Sequence, residues 1–378
     1  MRTVRVEASS GYDVLIGPGL LGECAERIAK VIAPCTAALV TDSHVAPLYA
    51  ERVRKSLEAA GFRVAEFVFP AGERSKNLDV WAETVAFLAE NRLGRGDFVA
   101  ALGGGVVGDL AGFAASAYQR GIRCVQLPTT LLSAVDSSVG GKTAVDLPQG
   151  KNLVGSFHQP SLVLCDTDTL ATLPDVQLRS GCAEAIKCAV LSSEALFERM
   201  EAAPIPAMLE DTITACVEYK RDVVARDEFD TGERAFLNLG HTVGHAVEKC
   251  GGYALTHGEA VAVGLAVITR AAAARGICSP RAAERIVALL EKTGLPVTTD
   301  IEVPELFEAA LSDKKRRGDS IRLILPEEIG RCRIETIPAA DLIGWMRSGG
   351  VRGSPGPRRG RRPAGSVRPV QNPRPTGC

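Results

Sequence analysis

The sequence predicts an α/β amino-terminal domain with a mostly parallel sheet, followed by a mainly α-helical carboxy-terminal domain. Short apolar runs alternate with helical stretches in the first 173 residues, a pattern typical of βα units around a parallel sheet. A glycine-rich turn at 103–109 follows one of these runs and precedes an apolar stretch of helical length, as expected for a further βα unit. After Pro174, long segments rich in Ala, Glu, Leu and Arg have helical spacing. We therefore assign residues 1–173 to the first domain and 174–348 to the second.

The strands of the first domain are predicted from short apolar or alternating runs. They are expected at 1–7, 37–42, 62–69, 97–102, 124–127 and 162–165. Helical stretches at 47–60 and 77–91 lie between them, and an apolar helix follows the glycine-rich turn as far as Tyr118. Because ligands of open parallel sheets bind beyond the carboxyl ends of the strands, we expect a site at that edge.

The second domain is predicted from five helical stretches and one late strand. The helices are expected at 176–202, 207–226, 233–250, 257–275 and 280–293, and the strand at 320–325. A cleft between two domains is a common location for an active site. The two-domain pattern therefore favours a site between them.

The carboxy-terminal segment differs in composition from the rest of the chain. Residues 349–378 contain seven arginines, six prolines and no acidic residue. The whole chain has a net charge of −1, so removing these seven positive charges leaves −8 for residues 1–348. The tail cannot bury enough apolar surface to offset its ordering entropy, so we predict that it is disordered. The acidic body gives no support for a nucleic-acid function.

The cysteine pattern and the lack of long apolar runs predict a cytoplasmic protein. The chain has 11 cysteines, an odd number, and no Cys-x-x-Cys pair. This pattern predicts free thiols in a reducing compartment rather than a disulfide framework. No apolar run reaches the roughly 18 residues of a membrane-spanning helix, so we expect no contact with a membrane interior.

The glycine-rich turn matches a dinucleotide-binding fingerprint. Gly103, Gly105 and Gly108 have the Gly-x-Gly-x-x-Gly spacing between a predicted strand and a predicted helix. Glycines let the backbone approach a pyrophosphate, and the amides of a helix start can bind it. The same turn also occurs where a strand and a helix only pack closely, and the motif alone leaves both open. Asp42, after an earlier strand, either accepts hydrogen bonds from a ribose or caps a turn.

A polar segment in the first domain carries lysines beside glycines and hydroxyl groups. It contains Asp136, the sequence Gly-Gly-Lys-Thr ending at Thr143, and then Lys151 and Asn152. Glycines beside lysines and hydroxyls favour an anion-binding site, although a solvated loop with surface lysines is the alternative. The nearby dinucleotide motif favours an anionic ligand.

Three of the chain's 5 histidines lie within 17 residues, which predicts a metal or acid–base site. His241 and His245 are four residues apart and share one face of a helix, and His257 follows. Glu184 could add a carboxylate ligand, although Glu184 and Lys187 are also spaced for a surface salt bridge. A zinc protease is disfavoured because no glutamate follows His241 to act as the general base.

Together these segments resemble the 3-dehydroquinate synthase family. The resemblance covers about residues 1–345, and its specificity lies in the ordered set of motifs. The matching segments are Gly72-Glu73-x-x-Lys76, Gly103-Gly-Gly-Val-Val-Gly-Asp109, Tyr118-Gln-Arg120-Gly, Leu127-Pro-Thr-Thr-Leu, Asp136-Ser-Ser-Val-Gly-Gly-Lys-Thr143, Gly150-Lys-Asn, Phe157-His-Gln-Pro160, Asp166-Thr-Asp-Thr-Leu, Ala183-Glu-x-Ile-Lys187, Asn238-Leu-Gly-His-Thr-x-Gly-His245, His257-Gly-Glu and Asp313-Lys-Lys.

The resemblance implies a role for each matching residue. The implied zinc ligands are Glu184, His241 and His257, with Co²⁺ as an alternative metal. The residues implied to hold NAD are Asp42, Glu73, Lys76, Gly104, Gly105, Val106, Asp109, Thr129, Thr130, Asp136, Lys142 and Lys151. The residues implied to bind substrate are Arg120, Lys142, Lys151, Asn152, Lys187, Lys220, Arg234, Asn238, His245, Lys314 and Lys315. The residues implied to act in catalysis are His245, Lys142, Lys187, Asp136, Arg234, Lys220 and Asn238.

The implied reaction converts 3-deoxy-D-arabino-heptulosonate 7-phosphate to 3-dehydroquinate and phosphate, in the shikimate pathway of aromatic amino acid biosynthesis. It proceeds by transient oxidation by NAD, phosphate elimination, re-reduction and intramolecular aldol cyclisation. The implied enzyme is thus an NAD- and zinc-dependent, phosphate-eliminating carbon–oxygen lyase. The family also implies a Rossmann-like amino-terminal domain, a helical metal-binding carboxy-terminal domain and a homodimer. In that dimer Arg120 would reach the partner subunit's site, and Lys314 or Lys315 would close over the substrate.

Three alternatives to this function differ in substrate or class. Sister sugar phosphate cyclases that act on substrates without a carboxylate tend to change the residues at Lys220, Arg234, Asn238 and His245, all of which are retained here. This criterion does not distinguish 3-dehydroquinate synthases from the cyclases that make aminodehydroquinate. A metal-dependent alcohol or glycerol dehydrogenase is disfavoured by the polar segment of the first domain. A non-catalytic metal protein tethered to nucleic acid by the basic tail is the third alternative.

Overall fold

The computed structural model describes residues 1–252, 254–311, 316–317 and 319–352. Its strands are β1 (Arg2–Val6), β2 (Tyr12–Gly17), β3 (Thr36–Asp42), β4 (Arg63–Phe69), β5 (Phe98–Gly103), β6 (Arg123–Pro128), β7 (Lys142–Leu147), β8 (Gly150–Phe157), β9 (Leu162–Asp166), β10 (Arg316–Arg317), β11 (Ser320–Glu328) and β12 (Arg331–Pro338). Its α-helices are α1 (Cys24–Ile28), α2 (Glu51–Ala59), α3 (Leu78–Glu90), α4 (Gly105–Ala117), α5 (Asp175–Ser192), α6 (Glu194–Ala202), α7 (Leu209–Arg226), α8 (His241–Cys250), α9 (His257–Ala274), α10 (Pro280–Lys292), α11 (Val303–Leu311) and α12 (Leu342–Ser348).

A seven-stranded sheet with the order β1-β2-β9-β6-β5-β3-β4 forms the first part of the chain. Neighbouring strands from β2 to β4 are parallel, and β1 runs antiparallel to β2 at the edge. The central strands β3 and β5 are buried along their whole length, which explains their continuous apolar sequences, because helices cover both faces of a parallel sheet. The predicted α/β class with a mostly parallel sheet is confirmed.

The second part of the chain is mainly helical and is organised around α9. This helix packs against α5, α8, α10 and α12, and it is apolar around its circumference because it is buried on all sides. A capping box fixes its first turn: the Thr256 hydroxyl accepts from the Glu259 amide, and the Glu259 carboxylate accepts from the Thr256 amide. The capping box therefore fixes where the helix begins, at His257. All seven strands of the large sheet precede residue 173. The predicted domain boundary at residue 173 remains a prediction.

Two of the predicted long helices are each divided in the structure. The stretch 176–202 breaks at Ser193, which is extended and caps α6 by accepting a hydrogen bond from the Leu196 amide at 3.3 Å. The stretch 233–250 breaks at Gly240, whose φ of 79° lies in the left-handed region that favours glycine. Each break is set by a local backbone conformation that the apolar spacing does not encode.

The later part of the polar segment, which the sequence analysis did not assign to a strand, is a β-hairpin formed by β7 and β8. Its strands contain Lys142 at the start of β7 and Lys151 and Asn152 near the start of β8. The hairpin packs against α4, where Gly112 leaves room for the Thr143 side chain. Because no apolar run in these strands is longer than two residues, the length of an apolar run does not mark them.

The body of the protein extends past the predicted start of the tail at residue 349. Val351 is 5% exposed and its amide donates to the carbonyl of Met346 at 3.0 Å. The carbonyl of Arg352 accepts a hydrogen bond from the Val303 amide at 3.1 Å. The remainder of the tail lies outside the described residues.

No helix in the described part is long and apolar enough to cross a bilayer. The ten cysteines described are all free thiols, in agreement with the sequence prediction.

Candidate active site

The glycine-rich turn connects the carboxyl end of β5 to the start of α4. A Cβ atom on Gly104 would lie 2.9 Å from the Thr130 methyl group, so a side chain at 104 would force these segments apart. The Thr129 amide donates to the carbonyl of Gly103 at 2.9 Å, which fixes the next strand end beside the turn. Five of the predicted nucleotide-binding residues meet here: Gly104, Gly105, Val106, Thr129 and Thr130.

Asp42 lies at the carboxyl end of β3, on the same edge of the sheet. Its Oδ1 accepts hydrogen bonds from the amides of His44, at 2.8 Å, and Val45, at 3.0 Å. Asp42 therefore caps the turn after β3, as one of the two sequence interpretations predicts. Its contact with a ribose remains a prediction.

Lys76 joins three segments at the edge of the sheet. Its Nζ lies 2.6 Å from Asp109 Oδ2 and 2.6 Å from Asn152 Oδ1. Burial opposes the charge of Lys76, but the carboxylates of Asp109 and Glu73 outweigh burial and raise its pKa. The ammonium is thus fixed between α4 and the β7–β8 hairpin, which brings together four predicted cofactor or substrate residues.

The predicted metal ligands converge although 73 residues separate the first from the last in sequence. Glu184 Oε1 lies 3.6 Å from His241 Nε2 and 3.5 Å from His257 Nε2. The three ligand atoms all lie within 4.8 Å of one another. Gly258 makes this possible, because a Cβ atom there would collide with the carbonyl oxygen of Ser180 and push α9 away from α5. The prediction that His241 and His245 share one helix face agrees with their position on α8.

The spacing of these atoms fits a metal ion better than direct hydrogen bonds. Zinc bonds of roughly 2.0–2.2 Å in a tetrahedral arrangement hold two ligand atoms about 3.4 Å apart. The distances of 3.5 and 3.6 Å from Glu184 Oε1 to the two imidazoles are close to that value. Glu184 is 1% exposed, and its Oε1 has no hydrogen-bond donor among the described residues. A buried carboxylate oxygen facing two ring nitrogens is therefore suited to share a cation with them.

Glu248 is a site residue that the sequence analysis missed. It is 4% exposed, its Oε2 lies 3.4 Å from His257 Nδ1, and its Oε1 lies 2.6 Å from Lys151 Nζ. Burial opposes the imidazolium of His257, but Glu184 and Glu248 outweigh burial and raise the pKa of His257 to about 9. The spacing of Glu248 from His241 and His245 on one helix face was the signal that could have identified it.

A second cluster of charges lies next to the predicted metal ligands. Lys187 Nζ contacts Glu184 Oε2 at 2.5 Å, the carbonyl of Leu237 at 2.8 Å and Asp136 Oδ2 at 3.7 Å. Lys220 donates to the Asp136 carboxylate and, at 2.6 Å, to its carbonyl. Burial would raise the pKa of Asp136, but Lys220 and Lys187 outweigh burial and lower it. The predicted surface salt bridge of Glu184 and Lys187 is therefore a buried one.

Arg234 is 1% exposed and is held by backbone groups. Its Nη2 donates to the carbonyl of Gly140 at 2.8 Å, and its Nη1 donates to the carbonyl of Glu228. The Arg234 guanidinium also lies 5.8 Å from the centre of the Phe157 ring. Arg234 thus joins the loop after α7 to the segment before β7, close to the Asp136 cluster.

Asp227 holds the loop that carries Arg234, and its replacement is expected to destabilise the protein. Burial alone would raise the pKa of Asp227, but the amides of Arg234, Thr231 and Gly232 outweigh burial and lower it to about 2. Stability from the ionised form is present above the ordinary pKa of about 3.9 and is lost as the pH falls towards 2. We expect Asp227→Asn to lower the free energy of unfolding by about 2 kcal/mol at pH 7, measured by urea denaturation. The difference from the wild type should shrink below pH 3, and a pH-independent difference would contradict the assignment.

The remaining predicted substrate residues differ in their surroundings. Lys142 is 48% exposed and forms an ion pair with Asp230. Asn238 lines a small pocket together with Gly240 and Thr242. Asp136, Lys187 and Lys220 line a different pocket. Arg120 is exposed beyond the carboxyl end of α4, whose 13 residues place it about 20 Å from the nucleotide-binding turn. The substrate contacts of all three remain predictions, and Lys314 and Lys315 lie outside the described residues.

Two family comparisons together cover residues 66 to 316. Residues 66–180 match the family described as 3-dehydroquinate synthase N-terminal, and residues 181–316 match the one described as 3-dehydroquinate synthase C-terminal. A 3-dehydroquinate synthase of Enterococcus faecalis is 44% identical over 347 residues, covering 90% of this chain and 97% of that protein. The similarity thus extends over both parts of the fold.

Solved structures of sugar phosphate cyclases have the same architecture. The 2-deoxy-scyllo-inosose synthase complexed with carbaglucose-6-phosphate, NAD⁺ and Co²⁺ matches with a TM-score of 0.82 at 26% identity, over 92% of this chain and 99% of that one. The 2-epi-5-epi-valiolone synthase of Streptomyces hygroscopicus with NAD⁺ and Zn²⁺ bound matches with a TM-score of 0.82 at 28% identity, with the same coverage. The chain is therefore similar in fold to two cyclases that bind a nicotinamide cofactor and a divalent metal.

Proposed function

Because the chain belongs to the 3-dehydroquinate synthase family, we propose that it converts 3-deoxy-D-arabino-heptulosonate 7-phosphate to 3-dehydroquinate and phosphate with NAD and zinc. The observation that carries this proposal is one continuous row of opposite charges across the two parts of the chain. In order of contact, the row consists of Glu73, Lys151, Glu248, His257, Glu184, Lys187, Asp136 and Lys220. The row joins residues predicted to hold NAD to the predicted metal ligands and substrate residues.

NAD would lie along the carboxyl edge of the sheet. The start of α4 offers backbone amides for the pyrophosphate, and Gly104 lets Thr130, after the next strand, pack closely against this turn. Asp42, at the end of a neighbouring strand, and Lys76, fixed by Asp109, would contact the rest of the cofactor. When bound, NAD supplies a hydride acceptor that returns the hydride within the same turnover.

Zinc would be held by Glu184, His241 and His257, with Co²⁺ as an alternative. When bound, the metal supplies Lewis acidity towards the oxygens of the substrate. Lys187 and Lys220 balance the charges of Asp136 and Glu184, so an added dication would make the cluster cationic. A cationic cluster suits a substrate that carries both a phosphate and a carboxylate.

Proton transfer is proposed to involve His245. Its ring centre lies 5.2 Å from that of His241 and 5.9 Å from that of His257, so it lies beside the proposed metal ligands. An imidazole ordinarily titrates near neutral pH, which allows it to move a proton or to bind the phosphate. Lys151, Asn152, Arg234 and Asn238 are proposed to orient the anionic groups of the substrate.

The proposed activity is tested by phosphate release from the heptulosonate phosphate, with and without a metal chelator. We expect release that needs catalytic amounts of NAD and stops when the chelator removes the metal. Glucose 6-phosphate, which lacks the carboxylate, serves as the second substrate because the similar inosose synthase structure contains a carba-glucose phosphate. Phosphate release from glucose 6-phosphate alone would assign the chain to that branch, and net NADH production with glycerol would assign it to a dehydrogenase.

We propose that the active enzyme is a homodimer in which Arg120 completes the partner subunit's site. Arg120→Ala is expected to lower kcat/KM by roughly 10²-fold, as for the loss of a charged substrate contact. Mixing this variant with inactive Glu184→Gln is expected to restore activity, because one site of each mixed dimer then has both residues. If Arg120 acts in its own subunit, mixing restores nothing, since each site keeps one defect.

A further inference from the structure

We propose that Glu248 is a positioning residue that holds His257 in its metal-binding orientation and couples it to Lys151. The proposal rests on the proposed function, because it gives His257 the role of a zinc ligand. Glu248 is 4% exposed and lies on α8, between the start of α9 and the β7–β8 hairpin. Each of its two carboxylate oxygens has a different partner, which makes it the junction of the charge row.

The first contact selects the ring nitrogen of His257 that faces the metal. Glu248 Oε2 lies 3.4 Å from His257 Nδ1, while His257 Nε2 lies 3.5 Å from Glu184 Oε1. A metal ligand must be the neutral ring, and in that form a carboxylate, which can only accept a hydrogen bond, favours the proton on Nδ1 and leaves the lone pair of Nε2 for the metal. Glu248 thereby fixes both the tautomer and the rotation of the ring.

The second contact fixes Glu248 itself. Its Oε1 lies 2.6 Å from Lys151 Nζ, and Lys151 Nζ lies 3.0 Å from Glu73 Oε1. A carboxylate held from two sides loses its rotational freedom, so the ring of His257 is positioned against a fixed group. Because Lys151 belongs to β8, Glu248 also links His257 to the β7–β8 hairpin.

The same contact discriminates against a second metal ion. His245, Glu248 and His257 also bring three ligand atoms within 4.8 Å of one another. The ammonium of Lys151, 2.6 Å from Glu248 Oε1, repels a dication at that position. His257 also cannot offer Nδ1 to a metal while that nitrogen carries the proton directed at Glu248. The Glu248–Lys151 pair therefore directs the metal to the side of Glu184.

The test is the zinc affinity and Co²⁺ spectrum of full-length Glu248→Gln. If the amide oxygen of the new side chain stays on Lys151, its NH₂ group faces His257 Nδ1 and moves the ring proton to Nε2. We expect zinc affinity, measured by competition with a chelating indicator, to fall by roughly 10–100-fold. The visible absorption bands of the Co²⁺-loaded variant should also change, because they report ligand geometry. Glu248→Asp, which keeps the charge, is expected to recover part of the loss.

The matched control is Glu335→Gln, which removes an ion pair with Arg333 at 2.7 Å on β12 by the same chemical change. It should bind zinc with wild-type affinity. Wild-type affinity and an unchanged Co²⁺ spectrum in Glu248→Gln would overturn the proposal, as would an aspartate variant no better than the glutamine one. A fall in zinc affinity that is matched by loss of cooperative unfolding would assign Glu248 a structural role instead. If Glu184→Gln retains zinc, that result contradicts the proposed metal site itself and does not test the role of Glu248.

Discussion

Glu184→Gln is expected to abolish zinc retention and turnover together. Glutamine keeps the size of the side chain but removes the charge that binds a cation and balances Lys187, whose Nζ lies 2.5 Å away. His241 and His257 would remain as two neutral ligands, one fewer than the three protein ligands of a catalytic zinc site. We expect turnover to fall at least roughly 10³-fold, because the proposed chemistry depends on the bound metal.

The measurement compares the zinc content of wild type and variant after dialysis, together with phosphate release. Removing one partner of a buried ion pair costs about 3–5 kcal/mol, so the unfolding midpoint of the variant must be measured as well. Glu335→Gln again serves as the control for the chemical change. A folded Glu184→Gln protein with one zinc per chain would refute the ligand assignment, and refolding in excess zinc should not restore activity.

The buried strands were predictable from sequence because burial on both faces requires continuous apolar residues. The predicted runs 37–42 and 162–165 differ from β3 and β9 by one residue at an end. The β7–β8 hairpin was not predictable in this way, because most residues of its strands are partly buried or exposed and their apolar runs are no longer than two residues. Their pairing depends on the register between them and on contacts with α4, which a single apolar pattern does not reveal.

The site was predictable where its geometry is local and not where it depends on packing between helices. The four-residue spacing of His241 and His245 on α8 follows from helix geometry alone. The approach of Glu184 to His257 depends instead on Gly258, which lets α9 contact α5. Glu248 was missed because a glutamate in a helix is ordinarily a surface residue, and its burial depends on a lysine 97 residues away.

His245→Ala is expected to keep zinc but lose turnover, by roughly 10²–10⁴-fold, the range for a residue that transfers protons. The two groups of candidate metal ligands share His257 but differ in their other members. Glu184 and His241 form one group with it, and His245 and Glu248 form the other. Since Lys151 contacts Glu248 at 2.6 Å, the second group carries a cation already, and we expect the zinc in the first group.

The measurement that separates the two groups is zinc content and turnover on the same His245→Ala sample. Stoichiometric zinc with low phosphate release is the expected result, and the pH dependence of kcat should lose the contribution of an imidazole. His241→Ala, one turn earlier on α8, is the matched control, because it removes the same side chain from the same helix face but should release the metal. If His245→Ala loses zinc and His241→Ala keeps it, the metal lies in the second group. In that case Lys151 must move away from Glu248 when the metal binds.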